Sequence, residues 1–446
     1  MTDAGNKSAL ASAFDTHHPP SPEIIENCVH CGFCLPVCPT YVLWGQEMDS
    51  PRGRIYLMKL ATEGAATLTP QWVSHMDSCL GCMACMTACP SGVDYGKLIE
   101  ATRAQIERRD TRSWSEKLHR RFLFAILTRP ERLRLLRWPL LAYQNSGLRA
   151  LVRGSGILKL LPKKIQAMEM LLPKLGASEM TLEVTPAQGT PRRRVGLLLG
   201  CVQREFFPQV NSATARVLAA EGCEVVAPRE QSCCGALFVH AGEEAAAAAL
   251  ARKTIDVFER ADVDTIVTNA AGCGSSVKEY AHLLRDDPQY AEHAKRFSAK
   301  CKDVSEFLAE LEPRATRHPL RLCVAFHDSC HLQHAQGVRS QPRSLLGQIP
   351  ELELKEIAEP AICCGSAGIY NLVQPEAATE LGDRKGQLIA SLQAEVVATG
   401  NPGCLLQLQS ALTRNGCGTP VVHTIQLLDA SIRGATPESL LSAATI

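Results

Sequence analysis

No run in this sequence approaches the ~18 apolar residues of a membrane-spanning helix. The string at residues 122–127, inside a basic stretch, is far too short. Charge of one sign is missing as well. The 47 Lys and Arg face 46 Asp and Glu, a net charge of +1, so nothing global argues for nucleic acid or another polyanion. The first 22 residues lack a basic start followed by an apolar core, which excludes a secretory signal. They read as a flexible polar tail. The expected location is the cytoplasm, where thiols stay reduced and clusters can be inserted. No G-x-G-x-x-G opens a βαβ unit, so the chain has no evident flavin or nicotinamide fingerprint. What remains is a 446-residue chain of ordinary globular composition, long enough for two or three domains. It carries twenty cysteines, sixteen of them in repeated motifs.

Two of those motifs are near-copies. Cys28, Cys31 and Cys34 are followed by Cys38-Pro39; Cys79, Cys82 and Cys85 are followed by Cys89-Pro90. Three cysteines at intervals of three, then a fourth before proline, is the bacterial ferredoxin run for a 4Fe–4S cube. In two-cluster modules the fourth cysteine ligates the other cube. That rule groups Cys28, Cys31, Cys34 and Cys89 around one cube, and Cys79, Cys82, Cys85 and Cys38 around the other. Zinc prefers two separated pairs, and disulfides need an oxidising compartment. Between the runs, Pro51 suits a helix start with Ser50 or Asp49 as cap. Arg52 and Arg54 there read either as counter-charges to the cubes and a docking point, or as a solvated helix start.

Residues 112–176 hold fourteen Lys or Arg against Glu116, Glu131 and Glu169. They read as short basic amphipathic helices, interrupted at Pro139: a connector, or a surface for a membrane or an acidic partner. Residues 177–193 read as a loose linker. Beyond Val195, short apolar runs alternate with helical patterns, which predicts α/β layers with parallel strands. The series occurs twice. Cys201, Cys233 and Cys273 recur as Cys330, Cys363 and Cys404 at offsets of 129, 130 and 131 residues. Each copy carries a Cys-Cys-Gly at a strand end, where open α/β sheets build sites. Cys201, Cys233, Cys234 and Cys273 form one candidate site; Cys330, Cys363, Cys364 and Cys404 form the other. Iron–sulfur, zinc or no ligand all stay open for them. Cys223, Cys301, Cys323 and Cys417 read as packing residues.

The predicted architecture is a multidomain α+β and α/β chain. A flexible tail (1–22) precedes a helical two-cluster ferredoxin-like module (23–105). A basic helical connector and linker follow (106–193). Two duplicated α/β Cys-Cys-Gly modules complete it (194–312 and 320–435).

This order resembles the iron–sulfur subunit of bacterial glycolate oxidase (glycolate dehydrogenase). The resemblance includes Val29-His30-Cys31-Gly32-Phe33-Cys34, Pro51-Arg52-Gly53-Arg54-Ile55-Tyr56-Leu57 and Cys363-Cys364-Gly365-Ser366-Ala367-Gly368. It implies a subunit of an oxidoreductase complex. A flavin (FAD) partner oxidises glycolate to glyoxylate, a third subunit assists, and this subunit passes electrons toward quinone or another acceptor, peripheral to the membrane. The order is also similar to heterodisulfide reductase subunits and to a subunit of anaerobic glycerol-3-phosphate dehydrogenase. On that alternative, a Cys-Cys-Gly site does redox chemistry itself, assisted by His331 or His334. In the reductases each module ends in Cys-x-x-Cys; here Ser276 follows Cys273 and Gln407 follows Cys404.

Overall fold

The computed structural model describes residues 12–109, 112–176 and 179–444. The chain divides into two compact units, Met1–Arg120 with Phe238–Glu244, and Arg121–Leu237 with Ala245–Ile446.

The first unit is helical, and proline opens most of its helices. Pro39–Trp44, Pro51–Thr62 and Pro70–Asp77 each begin on one. Proline's fixed φ suits the first helical position, where its missing N–H has no partner to lose. Ser50 caps the second of these, its hydroxyl accepting from Gly53 N at 3.0 Å. Gly53 is required for close approach: a Cβ there would lie 1.9 Å from the Glu47 carbonyl oxygen. The core gathers Met58, Trp72, Met76, Leu98 and Ile106 between these helices and Tyr95–Arg108.

The expected loose tail differs from residue 12 onward. Phe14 is buried with its ring edge-on to Trp72 at 6.1 Å. Ala13 N donates to Ala61 O at 2.9 Å, and Arg108 Nε donates to Asp15 at 2.9 Å. One aromatic in a polar stretch is enough, since burying it is worth about 2 kcal/mol. The part of the tail before residue 12 lies outside the described residues.

The second unit holds two sheets. In the first, β1 (Val184–Thr185), β2 (Arg193–Leu198), β3 (Cys223–Val226), β4 (Thr265–Thr268) and β5 (Cys301–Asp303) lie in the order β1-β3-β2-β4-β5. In the second, β6 (Leu322–His327), β7 (Leu352–Glu356), β8 (Val396–Thr399) and β9 (Val421–His423) lie in the order β7-β6-β8-β9. All pairs are parallel except β1 with β3. The four parallel strands thus recur in one topology, as the duplication predicts. The edge strand β1 lies where a loose linker is expected. Two residues of backbone pairing with Val225 and Val226 suffice to order it.

The modules share one continuous core. Val195, Val217 and Val225 of the first are clustered with Val324, Leu408 and Leu427 of the second. Arg216 forks onto Asp429 at 2.8 and 3.0 Å across this seam. The connector packs within the same unit: Arg137 donates to Glu205 O at 2.9 Å, and Arg153 Nε reaches buried Glu169 at 2.9 Å. The expected interruption at Pro139 is absent, and one helix runs Pro130–Asn145. Leu135, whose carbonyl Pro139 cannot bond, is 72% exposed, so water can take the freed acceptor.

Candidate metal centres

Two pockets lie in the first unit. One, of about 410 Å³, is lined by Cys28, Cys31, Cys34 and Cys89, with Cys85 at its edge. The other, of about 310 Å³, is lined by Cys38, Cys79, Cys82 and Cys85. Pro51, Cys85 and Tyr95 line both and separate them. The first pocket is open: Cys31 is exposed and its loop holds out Val29 and Phe33. In the second, all four cysteines are buried.

The loops are shaped for an anion. His30 and Gly32 have φ of +54° and +90°, Gly81 and Met83 +63° and +62°. Left-handed residues alternating with right-handed ones turn successive N–H groups inward, forming a nest of the kind found at Fe–S sites. Gly81 N points at Cys79 Sγ from 3.4 Å.

Buried cations complete the second pocket. Arg54 is 1% exposed, not solvated. It donates to His75 O at 2.6 Å, Ser78 Oγ at 2.8 Å and Thr40 Oγ1 at 3.1 Å. Arg103 bonds the carbonyls of Cys79, Met76 and His240. Burial pushes the Cys79 thiol up, but Arg54 and then Arg103 more than offset it and hold the thiol below its usual value. Tyr95 adds a hydroxyl 3.6 Å from Cys79 Sγ. In the open pocket burial, helped by the neighbouring Cys28 and Cys38, lifts Cys34 to about 11. Arg52 is spent on Glu47 and on the His30 carbonyl. Tyr95 and Arg103 had no signal in the sequence, because both reach the pocket only through the packing of their helix.

These features fit a thiolate-ligated iron–sulfur group: four sulfurs per pocket, inward N–H groups and buried positive charge. The donor set, all sulfur, is the one that selects such clusters among metals.

In the second unit the Cys-Cys-Gly sets lie beyond the C-terminal ends of the strands. Cys201 and Cys233 Sγ are 3.5 Å apart, and Cys330 and Cys363 Sγ 3.9 Å apart. Cys234 then bridges Cys233 to Cys273, and Cys364 bridges Cys363 to Cys404. In each chain one thiol is held low by hydrogen bonds from its neighbours: Cys234 by Cys233 and Cys273, Cys363 by Cys330 and Cys364. Gly235 and Gly365 take φ of +83° and +90°, and a Cβ on Gly365 would meet Ala378 O at 2.6 Å. Each glycine therefore makes the turn that presents its cysteine pair.

The two cysteine-bearing ends meet. Ala271 N donates to Gly400 O at 3.1 Å, and Gly272 N donates to Asn401 Oδ1 at 3.2 Å. Asn401 Nδ2 in turn points at Cys404 Sγ from 3.6 Å. His331 Nδ1 lies 2.7 Å from Ser275 Oγ across the same seam. His334 is paired with Gln333 at 2.8 Å, and burial holds it near pKa 4. Gln407 turns to Ala378 O at 2.7 Å, and Ser276 leaves its hydroxyl buried without a hydrogen-bond partner. Cys223 and Cys301 lie in strands, away from these sets.

Residues 24–93 match the family described as the 4Fe-4S dicluster domain. Residues 195–278 and 324–409 each match the cysteine-rich domain, and residues 115–172 match the linker region of glycolate oxidase iron–sulfur subunits. The probable glycolate oxidase iron–sulfur subunit of Bacillus subtilis is 40% identical over 90% of this chain and 93% of its own length. The glycolate oxidase iron–sulfur subunit of Escherichia coli is 36% identical over 92% of this chain and 94% of its own. A fumarate reductase (CoM/CoB) chain of Methanothermobacter marburgensis is 35% identical over about half of each chain. With two sulfur-lined pockets ahead of a duplicated cysteine-rich unit, and such identity across nine-tenths of the length, the chain is an electron-transfer protein and belongs to the glycolate oxidase iron–sulfur subunit family.

Proposed function

We propose that this chain relays electrons from a flavin-bearing partner that oxidises glycolate to glyoxylate, toward quinone or another acceptor, with a third subunit assisting. One cube is held by Cys28, Cys31, Cys34 and Cys89, the other by Cys38, Cys79, Cys82 and Cys85. Such cubes supply one-electron steps. The carrying observation is that the eight cysteines line two adjoining pockets, Cys28, Cys31, Cys34 and Cys89 in one, Cys38, Cys79 and Cys82 in the other, and Cys85 in both. Each Cys-Cys-Gly set holds a further iron–sulfur centre. Hydride abstraction belongs to the flavin. Anaerobically reduced, the isolated chain is expected to show cubane EPR signals and no glycolate turnover. Turnover by the flavin-free chain would contradict the relay.

The open pocket is the port for the partner. Val29 and Phe33 are 68% and 64% exposed on the very loop that carries Cys31. Replacing both by serine is expected to slow electron transfer from the partner roughly 10-fold, the effect of losing about 1.4 kcal/mol of docking. Iron content and EPR line shape stay unchanged. An unaltered transfer rate would place the port elsewhere.

The onward acceptor lies at an anionic membrane, to which this cytoplasmic chain binds peripherally. None of the described helices is long and apolar enough to span a membrane. Helix Pro130–Asn145 instead exposes Leu135 and Trp138, three residues apart on one face, beside Arg132 and Arg134. Ten of the nineteen exposed large apolar side chains among the described residues fall between positions 121 and 165, and none beyond 184. Residues 121–176 carry eleven Lys or Arg against two Glu, the pattern of an interfacial basic surface. The chain is expected to float with phosphatidylglycerol vesicles and not with phosphatidylcholine ones, with loss of binding in Leu135→Ser/Trp138→Ser. Equal recovery with both lipids would argue for a protein partner on this face.

A further inference from the structure

The two Cys-Cys-Gly sites look alike in sequence, but their surroundings differ at one buried position. His327 ends β6, three residues before Cys330, and is 4% exposed. Its Nδ1 lies 3.0 Å from Thr399 Oγ1, which Ser329 Oγ also approaches at 3.0 Å. Its Nε2 is buried with no hydrogen-bond partner. The strand register identifies the counterpart in the first module. His327 pairs with Thr399 as Leu198 pairs with Thr268. Leucine therefore fills this place without difficulty, and packing alone does not call for an imidazole. With leucine there, the Thr268 hydroxyl is left buried and unpaired. The second module keeps a polar pair where the first has an apolar side chain.

A buried imidazole tethered through one nitrogen and open at the other is the usual state of a metal-ligating histidine. The tethered nitrogen fixes the tautomer and ring plane, and the free one offers its lone pair. The strand end that carries His327 leads within three residues to Cys330, whose Sγ is 3.9 Å from Cys363 Sγ, so the ring stands at the entry to the second sulfur set. Lys385, 2% exposed with Nζ 2.7 Å from Glu359 O, interacts with both Cys364 and Cys363. Imidazole with one nitrogen tethered and the other lone pair free is the form that binds metal.

We infer that His327 Nε2 is a ligand to the iron–sulfur centre of the second Cys-Cys-Gly module, a nitrogen donor for which the first module, with Leu198, has no equivalent. The inference rests on the reading that this module binds iron. The centres are accordingly distinct, one held by sulfur and one by sulfur with nitrogen. Where the imidazole takes an iron position that a thiolate would otherwise hold, it raises the cluster's potential. The second module is then the one that fills first on reduction.

The test uses the full chain labelled with 15N-histidine, reduced anaerobically and measured by pulsed EPR beside His327→Leu. The variant takes its residue from the sister module and is expected to fold. Wild-type protein should show a 15N coupling that His327→Leu loses, and the corresponding signal should titrate at a lower potential in the variant. Thr399→Val, which removes the tether and keeps the ring, should weaken the coupling without abolishing it. Identical couplings and potentials in wild type and His327→Leu, with iron present in the module, would overturn the histidine ligand and leave the iron reading intact. A wild-type chain with no iron beyond that of the two cubes, or with zinc in the module, would overturn both.

Discussion

Cys79→Ser is expected to remove about four iron atoms per chain, one cube's worth, and to stop electron transfer through the subunit. The effect should reach stability as well. Cys79 lies between two buried guanidinium groups, Arg54 and Arg103, and receives the Tyr95 hydroxyl at 3.6 Å. With the cluster lost, these cations face no thiolate-held negative charge in a fully buried pocket. Removing one partner from a buried charge pair costs about 3–5 kcal/mol. That is a large fraction of the roughly 5–15 kcal/mol by which a domain is stable. Cys31→Ser is the contrast. Cys31 is exposed, on an open loop, and water can solvate what the substitution leaves. It should lose its cube more slowly and leave the melting temperature of the first unit nearly unchanged. Iron analysis and calorimetry on the two variants check the difference. Equal losses of stability would mean that the buried pocket is not held together by its charge.

The second large effect is at Arg54. The side chain closes a network of Asp49, Ser78, Thr40 and the His75 carbonyl, and Asp49 also holds His75 Nδ1 at 2.9 Å. Arg54→Met keeps much of the volume and removes the charge and the fork. The expected loss is about 3–5 kcal/mol, because Asp49 stays behind in a buried place. A redox consequence follows separately. Reduction adds negative charge to the cluster, which a nearby cation favours. Its removal should lower the potential of the buried cube by ~50–100 mV, equivalent to about 1–2 kcal/mol for one electron. Arg54→Lys retains the charge and should recover most of the potential but little of the stability, since an ammonium cannot fork across these acceptors. An EPR-monitored titration showing the same potential in Arg54→Met and wild type would remove the arginine from the redox account and leave it a purely structural one.

Much of this was readable from local spacing. The ferredoxin runs announce themselves because a cube's ligands on one loop must come at intervals of three, and the duplication because it preserves offsets within two residues over 130. Strands β3, β4, β6, β7 and β8 fall where short apolar runs bounded by turns place them. The misplaced expectations share a cause. Arg54 kept a solvated reading beside that of a counter-charge because nothing next to it in sequence announces Asp49, Ser78 and His75 as its surroundings. The stretch from residue 12 read as a tail because Phe14 is its one large apolar side chain, and its partner Trp72 is far along the chain. Pro139 read as a break because local rules assume a buried carbonyl; the exposure of Leu135 removes that assumption.

What the chain alone determined is the ligand count, the order of modules and their repetition, since each is written in residues a few positions apart. Tertiary structure decided which cube is open and which is buried, and which arginine serves as a counter-charge. It also decided that the two cysteine-rich modules share one core with their sites abutting, and that His327 and Leu198 occupy equivalent places beside unlike sites. Those properties depend on burial and on pairs of residues brought together from distant positions, and burial changes the energy of a charge or a lone pair far more than its neighbours in sequence do.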